Sequence, residues 1–157
     1  KINEDEFQTL SRLLKLNPYV NIDSHILYVR ESKIKDMSSK CNSEIVNGFY
    51  CTLTDGSVKH FKLTIEDQLN LIDVEREVNS GANSVLYHAT NDICKSFSIE
   101  DIKIVIECAY KHKKYHTTYF NLLKYCINHI ENAELIKSIQ YGVDLTTLPV
   151  EIDLNIL

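Results

Sequence analysis

The sequence contains no tryptophan, one methionine, two prolines and four glycines in 157 residues. With so few glycines there is no glycine-rich loop to cradle a phosphate. Each glycine stands singly, where a turn or a helix end would use it. No serine nucleophile elbow is present. The five cysteines, Cys41, Cys51, Cys94, Cys108 and Cys126, form no C-x-x-C pair. An odd number without that spacing argues against a disulfide framework and against a zinc ribbon, and fits a reducing compartment. No apolar run approaches the roughly 20 residues of a membrane span, and no signal-peptide pattern is visible. Positive charge is not in excess: 17 Lys and Arg against 22 Asp and Glu give a net charge of -5. An acidic surface suits phosphate contacts poorly, so neither nucleic acid nor membrane is an expected partner. No internal repeat or low-complexity stretch is found.

What is present is ordinary for a globular chain, with 44% hydrophobic and 25% charged residues. The length suits one domain with a short appended part, and a core needs neither disulfide nor metal. Residues 3–16 predict a first helix: Asn3 caps it, Glu4, Asp5 and Glu6 follow, and Phe7, Leu10 and Leu13 or Leu14 make a stripe. Asn17-Pro18 ends it. Residues 25–30 read as a short strand, and the polar segment 31–43 as a loop or weak helical turn containing a boundary. The clearest hairpin runs from Ile45 to Leu63 around Asp55-Gly56. Phe49, Cys51 and Leu53 share one strand face and Tyr50 and Thr52 the other; beyond the turn Phe61 and Leu63 point opposite to Val58, His60 and Lys62, so that one face is expected buried and the other half wet. Thr64 caps a helix whose stripe is Ile65, Leu69, Ile72 and Val78, stopped at Ser80-Gly81. A second pair of strands, 84–89 and 93–97, flanks the turn Thr90-Asn91-Asp92. Ser98 caps the longest helix. Its stripe is Ile102, Val105 or Ile106, Ala109, Tyr119 or Phe120, Leu123, Ile127 and Ile130, with a kink expected near Tyr115–Thr118. A shorter helix over 133–139 follows, and residues 150–157 alternate like a strand or extended arm. The fold class is α+β, two antiparallel β-hairpins packed on a long C-terminal helix and shorter helices. The parts are 1–43, a helix, a strand and a docking segment; 44–148, the α+β domain; and 149–157, an extended arm.

The stretch from Tyr87 to His129 holds four of the six histidines and three of the five cysteines. His112 and His116, four apart on a helix, share a face that Cys108 extends, the geometry of a metal or thiol site. A metalloprotease would place a glutamate after the first histidine; Lys113 stands there and opposes a cation. The competing reading makes His116 a hydrogen-bonded, half-buried histidine on the apolar stripe. Cys126 and His129, three apart, offer a thiol–imidazole pair, set against buried cysteine as a small apolar residue. Asp73, Glu75 and Glu77, and Glu100, Asp101 and Glu107, read as solvated or capping carboxylates. Lys111, Lys113, Lys114 and Tyr115 read as a solvated helix face. No catalytic, cofactor-binding or metal-binding residue is therefore assigned, and no cofactor or enzymatic activity is expected. A small enzyme using Cys108, His112 and His116 is the alternative.

Several phrases together carry a resemblance: the Thr54-Asp55-Gly56 hairpin followed by Ile65-Glu66-Asp67-Gln68; Leu86-Tyr87-His88-Ala89; Ser98-Ile99-Glu100-Asp101; His116-Thr117-Thr118-Tyr119-Phe120-Asn121; and Ile139-Gln140-Tyr141-Gly142-Val143-Asp144-Leu145. Over residues 44–148 the chain resembles a domain of unknown function found in phage and prophage proteins encoded among tail, baseplate and tail-fibre genes. Tyrosine stands near Tyr87-His88 where relatives often carry tryptophan. The resemblance implies a virion structural or adaptor protein made in the host cytoplasm. Its implied partners are other tail and baseplate proteins, with a homo-oligomer among the expected states, and it carries over no catalytic residues.

Overall fold

The computed structural model describes residues 22–153, with side chains from His25. The expected helix over 3–16 and the last residues of the expected arm lie outside the described residues. The fold is α+β, in the order α1 (Ile22–Asn47), β1 (Phe49–Thr52), β2 (Val58–Phe61), α2 (Ile65–Asn79), β3 (Ser84–Tyr87), β4 (Lys95–Ser98), α3 (Ile99–His129) and α4 (Ala133–Ser138). A 3-10 turn at Leu145–Thr147 closes the order. The strands form two separate antiparallel pairs, β1 with β2 and β3 with β4.

Both hairpins follow their side-chain alternation. Phe49 faces Phe61 and Thr52 faces Val58 across the first pair, while Val85 faces Phe97 across the second. Phe49, Cys51, Leu53, Phe61 and Leu63 are buried, and Tyr50 is exposed. Gly48 joins α1 to β1 with φ of +88°. A β-carbon there would stand 1.9 Å from the Phe61 carbonyl oxygen, so only glycine allows the β2 backbone to come so close. Thr64 and Asp67 form a reciprocal capping box at the start of α2. Ser98 caps α3 by accepting from the Asp101 amide. Asp101 in turn accepts from the amide and hydroxyl of Thr54, both at 2.8 Å, tying the β1–β2 turn to the first turn of α3.

Helix α3 is the spine, and two apolar cores share it. The first lies between its N-terminal half, α2 and both hairpins, with Ile102, Val105 and Ala109 facing Phe61, Tyr87 and Phe97. The second lies between its C-terminal half, α1, α4 and the closing segment, around Leu123, Cys126, Ile127 and Ile136. Fully burying one such aliphatic side chain is worth about 1.5–3 kcal/mol. The helix contains neither proline nor glycine and is continuous α-helix through Tyr115–Thr118.

Three local expectations need correction. Residues 25–30 are not a strand, and 31–43 are not a loop: both belong to α1. Apolar residues are sparse there, but Ile26, Val29, Ile34, Met37 and Ile45 recur at helical spacing and face the cores, and Cys41 on the same side is buried. The helix is held by tertiary contacts. Arg30 donates to the Ile130 carbonyl at 2.8 Å, and Lys33 donates to the carbonyls of Lys137 and Ile139. These are cations at helix C-termini, where the dipole favours them. The stripe expected to bury α2, Ile65, Leu69 and Ile72, faces outward instead; Leu71 and Val74 are buried. Of the two readings for the C-terminal residues, a strand is not formed over 150–153, and Val150 and Ile152 rest on the second core.

Candidate functional site

His112 and His116 sit on α3 where the two cores meet. The spacing of four brings their rings together edge to face, with centroids 4.6 Å apart and planes at 73°. Each already has a partner. His112 Nε2 lies 3.0 Å from the Glu44 carbonyl oxygen, so that nitrogen carries the proton. His116 Nδ1 lies 3.1 Å from the Tyr141 hydroxyl. The Cys41 thiol donates to the His116 carbonyl at 3.3 Å. Tyr119, one turn on, donates to the Val143 carbonyl at 2.8 Å and accepts from the Gly142 amide at 3.0 Å. The pair thus fastens α1 and the closing segment to the middle of α3. Burial holds the His116 imidazole below its usual pKa, with the neighbouring His112 adding to the effect and Glu44 opposing it. Burial raises the Tyr141 hydroxyl, as does the adjacent Cys41 thiol.

Cys108 does not complete a site with these histidines. It lies against Cys51 in the first core, and burial together with that contact pushes the Cys51 thiol up to about 12. Such a thiol is protonated at neutral pH and is a poor nucleophile. Cys126 is fully buried, and burial raises its pKa too. His129 is exposed and bonds the Tyr125 carbonyl at 2.8 Å. Among the described residues, no three His, Cys, Asp or Glu side chains are grouped to hold a metal ion.

Several of the other candidate charges are paired on the surface. Asp73 pairs with Arg76 at 2.9 Å and Glu107 with Lys111 at 2.7 Å, all exposed. Lys113 donates to the Gln68 side chain at 2.6 Å. Tyr110, Tyr115 and Tyr125 are exposed, whereas Tyr119 is buried.

The surface feature that stripe-reading missed lies beside Lys113. Helix α2 is apolar on two opposite sides. At 100° per residue, Leu71, Val74 and Val78 project to one side and Ile65, Leu69 and Ile72 to the other. The second set stays in solvent: Ile65 is 72% exposed, Leu69 58%, Ile72 44%, and Tyr110 of α3 beside them 64%. Together with Leu63, Ile106 and Ala109 they line an open groove of about 340 Å³, rimmed by Gln68, Glu75 and Lys113. A contiguous apolar surface of this kind marks an interaction site more often than scattered exposed residues do. A smaller polar cleft of about 210 Å³ lies between Lys62, Asp67, Tyr87, His88, Thr90 and Asn91. Asp67 in that cleft is already committed to the α2 cap.

No protein-family model matches the chain, and no curated protein or solved structure matches it.

Proposed function

We propose that the protein is a structural or adaptor component of a phage or phage-like tail, at the baseplate or fibre attachment. It works by protein–protein contacts and not as an enzyme. The reading combines the phrase-level resemblance over residues 44–148 with one physical observation, the apolar groove between α2 and α3. A helix that buries one apolar side and leaves the opposite one in water is built to be covered on both. The partners are other tail and baseplate proteins, and the protein's place is the virion after synthesis in the host cytoplasm. The enzyme alternative draws no support from the geometry: the nitrogens named above hold the fold, and Cys108 faces Cys51 rather than the histidines.

The test is composition of purified particles. Mass spectrometry of gradient-purified tails should recover the protein in fixed ratio to other tail proteins, and labelling should place it at the baseplate end. Its absence from particles, with full expression in the same cells, refutes the reading.

A further inference from the structure

We infer that the α2–α3 groove receives residues 3–16 of a second copy of this chain, giving head-to-tail association. The groove offers an apolar floor with opposite charges at its ends. Lys113 stands at the Gln68 end, held at 2.6 Å. Glu75 lies seven residues further along α2, about 10 Å away. The sequence predicts an amphipathic helix over residues 3–16 with a matching layout. Phe7, Leu10 and Leu14 span seven residues, again about 10 Å, on one face. Glu4 and Glu6 precede that stripe and Lys15 follows it. With its first turn at Lys113, the segment sets its acids on that lysine and Lys15 near Glu75. The apolar stripe then covers Leu69, Ile72 and Tyr110. An amphipathic helix in an apolar groove is a recurrent mode of recognition.

As a helix, residues 3–16 of the same chain fall short of its own groove. Helix α1 runs antiparallel to α3, with Arg30 at Ile130, Cys41 at His116 and Glu44 at His112. At 1.5 Å per residue, residue 22 lies about 12 Å beyond Arg30, and Tyr110 lies about 30 Å from Ile130 in the other direction. The groove is therefore about 40 Å along the spine from the start of α1. Residues 17–21 span at most about 20 Å fully extended. Leu10, near the middle of the predicted helix, then reaches only about 30 Å. A second copy has no such limit. Because each copy carries one groove and one segment, the contact is between unlike surfaces, and it grows into rings or filaments when repeated.

The inference needs only the groove and the segment. A monomer found in tail particles refutes this inference alone, and an oligomer absent from particles refutes the tail reading alone. The experiment uses full-length protein and two single variants, Leu69→Asp in the groove and Leu10→Asp in the segment. Sedimentation velocity at up to about 100 µM should show concentration-dependent association of the wild type and at least about tenfold weaker association of each variant alone. A 1:1 mixture should recover a dimer, since one variant keeps its groove and the other its segment. Thermal melts check folding, and Tyr110→Asp replaces Leu69→Asp if that variant melts early. A monomeric wild type overturns the inference, and so does a mixture that stays monomeric. Undiminished association of Leu10→Asp overturns it as well, because grooves would then be pairing with each other.

Discussion

Replacing Gly48 with alanine puts the largest local strain into the fold for the smallest change in composition. The residue sits at φ of +88° between α1 and β1. Its amide donates to the Ile45 carbonyl at 3.2 Å, closing the helix before the chain turns into the strand. A left-handed backbone costs an L-residue about 1–2 kcal/mol. The added β-carbon would also stand 1.9 Å from the Phe61 oxygen and 2.7 Å from the Lys62 α-carbon. Both are backbone atoms of the first hairpin, so neither can swing aside. Relief requires moving β2 away from α1 by more than an ångström, which disturbs the packing of Phe61 and Leu63 below it. Overpacking of that kind adds about 1–3 kcal/mol, for a total of about 2–5 kcal/mol. In a chain of this length that lowers the melting temperature by about 5–20 °C. Gly81→Ala is the internal control. Gly81 has φ of +89°, but nothing lies within 4 Å of an added β-carbon. It should lose only the conformational part, about 1–2 kcal/mol. Urea titration followed by circular dichroism compares the two. Equal losses in Gly48→Ala and Gly81→Ala would refute the close approach of α1 and β2.

Three further outcomes follow from the junction and the buried thiols. The His116 pKa is depressed in the fold, so the unfolded chain takes up its proton first as pH falls. The stability from neutral His116 is complete above its ordinary value of 6.5 and declines as pH drops below it. The melting temperature of His116→Gln should fall less steeply than that of the wild type between pH 7 and 5, and parallel curves would count against the assignment. Tyr119→Phe strips hydrogen bonds from the Val143 carbonyl and the Gly142 amide, so it should cost about 1–3 kcal/mol in denaturant titration; a neutral result would mean those groups find water at once. Alkylation of the native protein should label exposed Cys94 first and leave Cys51 and Cys126 unmodified until unfolding; labelling of either at the Cys94 rate, read by peptide mass spectrometry, would contradict their burial.

Local signals in the sequence determined the hairpins, the caps and the spine. Asp55-Gly56 sets a tight turn whatever surrounds it, and alternation then assigns Phe49, Cys51, Phe61 and Leu63 to one face. Thr64 and Ser98 cap α2 and α3 through atoms only three residues away. The stripe from Ile102 to Ile130 is dense enough that its burial was legible without any partner being known. His116, too, could be read as a half-buried, hydrogen-bonded residue on that stripe, although its partner Tyr141 lies 25 residues away and no local pattern names it.

Tertiary structure alone decided the rest, because the deciding contacts are distant in sequence. Helix α1 is polar enough to read as a strand and a loop; Arg30 and Lys33 bond carbonyls about 100 residues later, and these with Met37 and Cys41 hold it as a helix. Helix α2 has two apolar sides, and periodicity cannot rank them. The hairpins and α3 cover Leu71 and Val74, which leaves Ile65, Leu69 and Ile72 in water. The groove exists for that reason. A sequence can show that a helix has more apolar surface than one neighbour needs, but which side stays open depends on where the rest of the chain packs.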